Sequence, residues 1–416
     1  MRSKKLSLTS TLTLAMLVLA FPAWGPRALA QQEKVLFSFP DSSGGGWGIW
    51  ASLTFDASGN LYGTAFYGGG PHNKGSVFEL TPGAGGVWTE KSLHIFGNGN
   101  DGQNPRFGVF IDADGNLYGT TNYGGAFGGD VNGGTAFELS PQSDGGWAET
   151  VLHDFGSTGT DGIVPWGGLV PDADGNLYGT TTQGGSTGGG TVFELALKPG
   201  GGATEKILYR VAGQPVGNLI FDSSGNLYGV ASLGGSYGRG AVYELSPTAN
   251  GGWAEKILHS FNGTDGYDPY AGVILDAAGN LYGTTTNGGT GSCPYGGCGV
   301  VYELVRQPGD IWKEKVLHNF NGSDGFEPFA NLIRDSTGNL YGTAFYGGDP
   351  QCNCGVVFEV SPTANGGWSE KTVYAFHGTD GAEPYSSLIF DAAGNLYGTT
   401  FSGGSNGGGT AFELTP

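Results

Sequence analysis

Gly59-Asn60-Leu61-Tyr62-Gly63 is the first of seven copies of one pentapeptide, the others beginning at Gly115, Gly175, Gly225, Gly279, Gly338 and Gly394. The steps between copies are 56, 60, 50, 54, 59 and 56 residues, and self-similarity at such a period marks a repeat architecture. Around the copy at Gly225, one unit runs from Leu219 to Phe261. It reads Leu219-Ile220-Phe221-Asp222, then Leu227-Tyr228-Gly229-Val230, then Gly240 to Leu245, then Trp253 to Phe261. These are four runs of β-branched and aromatic residues separated by turn chemistry, the pattern of strands, and no window after residue 31 has a helical period.

Each pentapeptide follows an aspartate by three residues, at Asp56, Asp112, Asp172, Asp222, Asp276, Asp335 and Asp391. A type I turn wants Asp first, to cap backbone N–H groups, and Gly at a left-handed position. Asp112-Ala113-Asp114-Gly115-Asn116 and its copy at Asp172 also resemble the start of a calcium loop. Five units lack the second aspartate and none has the closing glutamate, so the hairpin reading stands.

Seven four-stranded units predict an all-β protein, a seven-bladed β-propeller; a β-solenoid would have shorter rungs. The ends are complementary. Glu33–Phe39 matches the fourth strand of a unit, and the sequence stops after Thr410 to Leu414, the third strand of the last. The N-terminal strand is therefore expected to complete the blade holding residues 385–415 and to remove both sheet edges.

Residues 1–30 combine Arg2, Lys4 and Lys5, an apolar stretch from Leu8 to Phe21 and Ala28-Leu29-Ala30, the make-up of a cleaved secretory leader. Residues 31–416 are expected to form a single domain. Without the four basic residues of the leader, 14 Lys and Arg face 37 Asp and Glu, a net charge of −23. That argues against nucleic acid as a partner and against insertion into an anionic membrane. Glycine and proline make up a quarter of the chain, a level also found in disorder. Here the glycines hold fixed places among recurring aromatics, which disordered chains lack.

Asp-x-x-Gly-Asn-Leu-Tyr-Gly-Thr-Thr…Gly-Gly…Gly-Thr-Val-Phe-Glu-Leu resembles the GloVer tandem repeat of secreted bacterial proteins over essentially the whole mature chain. The Asp-x-x-Gly-x-Leu-aromatic-x-Gly-Thr core is more distantly similar to the propeller repeat of two-component regulator sensors. The GloVer resemblance implies an exported, propeller-like protein and does not settle its function. Family members carry C-terminal anchors, whereas this sequence ends inside its last repeat.

Catalysis finds little support in the motifs. His94, His153, His259 and His318 share one place in the fourth strand, where Tyr209 and Tyr374 stand in other units, so packing or a strand-face hydrogen bond is the expected role. Glu79, Glu138, Glu194, Glu244, Glu303, Glu359 and Glu413 recur opposite Lys91, Lys206, Lys256, Lys315 and Lys371, as cross-strand pairs do. No phosphate loop, zinc-protease helix or nucleophile elbow is present. Neither a metal nor a cofactor is expected. The off-repeat ionisable residues are scattered: His72, Lys74, Arg106, Asp130, Arg210, Arg239, Arg306, Asp310, Arg334 and His377.

Four cysteines lie in the second-to-third-strand loops of units five and six, at Cys293, Cys298, Cys352 and Cys354. Export favours disulfides. Cys293–Cys298 is the preferred pair, leaving Cys352–Cys354; Cys298–Cys354 across neighbouring blades is the alternative.

The connection into the first strand repeats Asp-Gly-x-x-Pro at Asp101, Asp161, Asp265, Asp324 and Asp380, and the prolines are followed by Arg106, Trp166, Tyr270, Phe329 and Tyr385. The plain role is a turn and a cap on the blade. The functional one places these side chains at the mouth of the channel, where large rings suit stacking on sugars. The first unit, with Asp41-Ser42-Ser43-Gly44, and the fourth, with Gly213-Gln214-Pro215-Val216, break the pattern. The fourth, with its short connection, is expected to leave a notch. Three functions fit: a secreted non-enzymatic propeller binding a glycan or surface protein, a propeller lyase or hydrolase acting on polysaccharide, and a structural component of a cell surface or matrix.

Overall fold

The computed structural model describes residues 32–41, 46–129 and 132–415. The leader, Ser42 to Gly44 and Asp130 lie outside the described residues. Seven antiparallel sheets follow one another along the chain, a seven-bladed β-propeller. In blade 1 the strands are Thr54–Phe55, Leu61–Ala65, Ser76–Pro82 and Trp88–Ile95. In blade 3 the first strand is interrupted, as Gly162–Pro165 and Val170–Pro171. Blade 7 takes Ile389–Phe390, Leu396–Thr399 and Gly407–Thr415 from the end of the chain and Gln32–Pro40 from its start. Lys34 faces Glu413 and Ser38 faces Thr410 in that pairing, so the N-terminal strand closes the ring.

The structure accounts for the repeated motif residue by residue. In blade 1, Asp56 Oδ1 accepts the N–H groups of Ser58 and Asn60, each at 2.8 Å, and Oδ2 accepts the Asn60 amide at 2.9 Å. Gly59 takes φ +85°, a conformation glycine adopts without steric cost. Leu61 is fully buried. The Tyr62 hydroxyl lies 3.3 Å from Asp56 Oδ2 and 3.2 Å from Glu79 Oε1. Gly63 makes room for the third-strand aromatic: a Cβ there would come within 2.6 Å of the Phe78 ring. Thr64 donates to the carbonyl of Phe107 in the next blade, and Thr120 and Thr343 repeat the bond to Gly167 and Ser386. One residue of the motif thus sets the position of the neighbouring blade's first strand.

The core lies between blades. The Phe that closes the fourth strand in six of the seven blades meets the third-strand aromatic of the next blade, as in Phe96–Phe137, Phe155–Phe193 and Phe320–Phe358, with centroids 4.9–5.1 Å apart; in blade 3 Val211 takes its place beside Tyr243. Phe39 and Phe78 repeat the contact across the closure. The pairing register sets Glu79 opposite Lys91 and Glu194 opposite Lys206. Lys206–Glu194 and Lys34–Glu413 are ion pairs, whereas Lys256 reaches Asp310 instead. Cys293 is bonded to Cys298, and Cys352 to Cys354.

Candidate functional site

Arg106, Trp166, Tyr270, Phe329 and Tyr385 each stand four residues before the start of the paired inner strand, and the same register holds Trp50 in blade 1 and Val216 in blade 4. These side chains pack on one another. The Arg106 guanidinium lies 3.8 Å from the centroid of Trp50 and 3.8 Å from that of Trp166, and it donates to the Tyr385 hydroxyl at 2.6 Å. Tyr385 stacks on Phe329 at 4.7 Å, and Phe329 meets Tyr270 at 5.7 Å. Burial pulls the Arg106 pKa below its ordinary value, the tyrosines beside it partly opposing this. The side chain keeps some exposed surface, but its Nε is buried without a partner. Among the described residues no carboxylate pairs with it. A cation held between two indoles is stabilised by their π faces, so those faces are occupied.

This cluster stands between two cavities. One, of about 270 Å³, is lined by Trp50, Tyr270, Phe329 and Tyr385 together with the small polar side chains of Ser52, Asn218, Asn331 and Ser387. Several of these are tied across blades: Asn218 Oδ1 accepts from Gly168 N–H, and Ser387 Oγ from Asn331 N–H. The other, of about 550 Å³, opens among the fourth-to-first and second-to-third strand connections. Its charged lining is Arg106, Asp268 and Glu327, and its aromatic walls include Tyr270, Phe345 and Tyr346. Where Val216 replaces a ring, a third cavity of about 150 Å³ lies between Trp166, Tyr270 and the shorter side chains of Gln214 and Ser232.

Asp268 and Glu327 had no counterpart in the sequence reading. They precede the prolines of their connections, and this position has a left-handed backbone in every blade: Gly48, Asn104, Val164, Gln214, Asp268, Glu327 and Glu383, with φ between +54° and +66°. Non-glycine residues hold such angles at a cost of roughly 1–2 kcal/mol each. Two hydrogen bonds fix the conformation. Asp268 N–H donates to Arg239 O while its carbonyl accepts from Thr286, and Glu327 is held likewise by Cys298 and Phe345. The variation of an otherwise repeated position between amide, aliphatic and acid was the available signal. Burial raises the pKa of Glu327, and that of Asp268 too, against a hydrogen bond from Asn287.

The five aspartates of Asp-Gly-x-x-Pro sit elsewhere: none lines these three cavities. Asp101 accepts the N–H groups of Gly97 and Asn98, and Asp161, Asp265, Asp324 and Asp380 cap the same turn. Each also faces the fourth-strand side chain of its own unit: His94 at 3.3 Å, His153 at 3.4 Å, His259 and His318 at 3.1 Å, and the Tyr374 hydroxyl at 2.6 Å. A glutamate from the next blade completes the junction, such as Glu205 beside His153. Burial pushes Glu33, Glu149, Glu205 and Glu314 each up to about 7.

Donor atoms of His153, Asp161 and Glu205 lie close enough together for one divalent cation, as do those of His318, Asp324 and Glu370. At the equivalent junction Tyr374 takes the place of the strand histidine beside Asp380 and Glu33, and the imidazole on Asp380 is that of His377 from the loop, so packing across the junction is the feature common to all. The other ionisable candidates are dispersed. Arg239 lies over Tyr267 and bonds Asn262, Arg306 pairs with Asp310, and His377 pairs with Asp380.

Searches among known proteins agree with the architecture. The structure is similar to virginiamycin B lyase from Staphylococcus aureus, with 14% identity, 93% of this chain and 99% of that chain covered and a TM-score of 0.55. A catalytically inactive variant of that lyase, with quinupristin, gives a TM-score of 0.56 at the same identity and coverage. At this identity the likeness is one of fold. No curated protein matches the chain. The model of the Gloeobacter/Verrucomicrobia repeat matches residues 28–209 and 292–416, and the chain belongs to that repeat family.

Proposed function

We propose that this protein is an exported, non-enzymatic binding propeller that takes a glycan at the 550 Å³ axial mouth. One observation carries the reading: the mouth joins aromatic walls to buried polar atoms that have no hydrogen-bond partner among the described residues. Thr286 Oγ1 and Asn287 Oδ1 are both buried and unpartnered, and both residues line the cavity with Tyr270, Phe345 and Tyr346. Sugars offer hydroxyls to such atoms and C–H faces to such rings. Export is supported by the leader-like residues 1–30 and by the two disulfides.

A glycan array with the mature protein identifies the ligand, and calorimetry on Trp166→Ala with Tyr270→Ala tests the place. A loss of tenfold or more in affinity, about 1.4 kcal/mol, is expected from a variant that stays folded. Unchanged affinity in a folded variant would remove this face as the site.

The hydrolase or lyase reading is favoured by a different observation, the raised pKa values of Asp268 and Glu327 in the same cavity. Carboxyls of this kind serve as general acids. Release of new chain ends from a bound polysaccharide, lost in Glu327→Gln, would establish it.

A further inference from the structure

We infer that the axial mouth selects a sugar bearing a free amine, a hexosamine whose ammonium group is drawn to the acidic lining supplied by Asp268 and Glu327. This rests on the glycan reading of the mouth and narrows it to one chemical class.

The argument begins with what the cavity offers. Its acceptors are the carboxylates of Asp268 and Glu327, the Asn287 carbonyl oxygen and the Thr286 hydroxyl. Asn287 uses its amide nitrogen on Asp268, at 3.3 Å, and leaves Oδ1 without a partner. Thr286 is 2% exposed and its hydroxyl is unpartnered. The cavity therefore seeks donors.

Charge narrows the choice further. Arg106 is the one cationic side chain among the lining residues, and it is already engaged between Trp50 and Trp166 and on Tyr385. Arg239 lies on the adjoining lip against Tyr267. Among the described residues neither Asp268 nor Glu327 has a basic side chain within ion-pair distance. Glu327 is buried and Asp268 half-buried, both without a counter-charge, which is costly unless a cation approaches them. A neutral hexose would satisfy the acceptors and leave the charge uncompensated. A uronate would add to it.

An ammonium resolves both. It brings three donors and a positive charge, and the surrounding rings of Tyr270, Phe329, Phe345 and Tyr346 attract cations to their faces. The net charge of −23 on the mature chain draws such a ligand in and repels acidic glycans.

The test is titration calorimetry of the mature protein with three tetrasaccharides: β-1,4-glucosamine, its N-acetylated form and a neutral β-1,4-glucan. The glucosamine tetramer should bind at least tenfold more tightly than the other two. The gap should close in 0.5 M salt and in the Asp268→Asn, Glu327→Gln double variant, checked for fold by its melting transition. Asn and Gln already occupy this left-handed position at Asn104 and Gln214, so the variant has a conformational precedent. Equal binding of all three sugars would overturn the amine inference and leave the glycan reading standing. Binding of none would overturn both.

Discussion

Lowering the pH from 8 to 5 should stabilise this protein. At the blade junctions Glu33, Glu149, Glu205 and Glu314 carry pKa values pushed up from 4.5 to about 7, chiefly by burial. A carboxyl raised in the folded state stabilises the fold fully below its unfolded pKa and loses that contribution as pH rises through the folded one. The window is therefore about 4.5 to 7. A rise of this size corresponds to ~3 kcal/mol for an isolated site. These side chains keep contact with solvent, and screening reduces the effect to on the order of 1 kcal/mol each. His153, raised by Asp161 and Glu205 against its own burial, adds in the same direction, while His259, lowered by burial, opposes it. For a ring of this size 1 kcal/mol moves the melting temperature by roughly 1–2 °C, so the four glutamates together should give about 5 °C. Below about pH 4 the trend should reverse, because hairpin aspartates such as Asp112, Asp172 and Asp276, held below their ordinary values by hydrogen bonds, become protonated. The assay is calorimetry at constant ionic strength on the native protein and on a variant with all four glutamates changed to glutamine. The variant should melt higher at pH 8 and lose most of the slope. A melting temperature that is flat or falling between pH 8 and 5, or a glutamine variant that keeps the native slope, would refute the reasoning.

Other outcomes follow from single contacts. Deleting residues 31–40 removes the strand paired with Gly407–Thr415 and exposes an edge; with Leu36 and Phe39 buried there, a loss of about 4 kcal/mol or more is expected, read as a clear drop in melting temperature. Tyr243 and Tyr302 stand where other blades carry Phe, and their buried hydroxyls lack partners. Tyr302→Phe should therefore raise stability by about 1 kcal/mol in denaturant unfolding. Gly229→Ala should do the reverse, since its Cβ would lie 2.5 Å from the Tyr243 hydroxyl. Peptide mapping without reduction should recover Cys293–Cys298 as a linked pair, and removing it should cost about 2 kcal/mol.

The ring was legible in the sequence because every part of Gly-Asn-Leu-Tyr-Gly answers to a local demand: a turn, a cap, a buried leucine and room for one aromatic ring. Local demands recur, and recurrence is visible. Closure was legible from strand types alone, Glu33–Phe39 against the strand ending at Leu414. The mouth was legible only in part. Arg106, Trp166, Tyr270, Phe329 and Tyr385 could be proposed from their shared place after a proline, yet Trp50 was not, since its unit lacks the Asp-Gly-x-x-Pro signature. The aspartates of that signature, grouped with the rings as candidates, cap turns and face strand histidines. Asp268 and Glu327 were not singled out because nothing in a one-dimensional pattern shows that a residue before proline takes a left-handed angle. Nor does spacing reveal that an arginine from blade 2 lies between tryptophans of blades 1 and 3.

That arginine decides what the axis of the ring is. Clamped between Trp50 and Trp166 and tethered to Tyr385, it acts as a stopper, with the stacked Phe329 and Tyr385 beside it. The axis is consequently less a tube than two cups set back to back: one acidic and aromatic, the other small and lined by serine and asparagine. Tyr270, Phe329 and Tyr385 are walls of both, so the two cups share one aromatic partition.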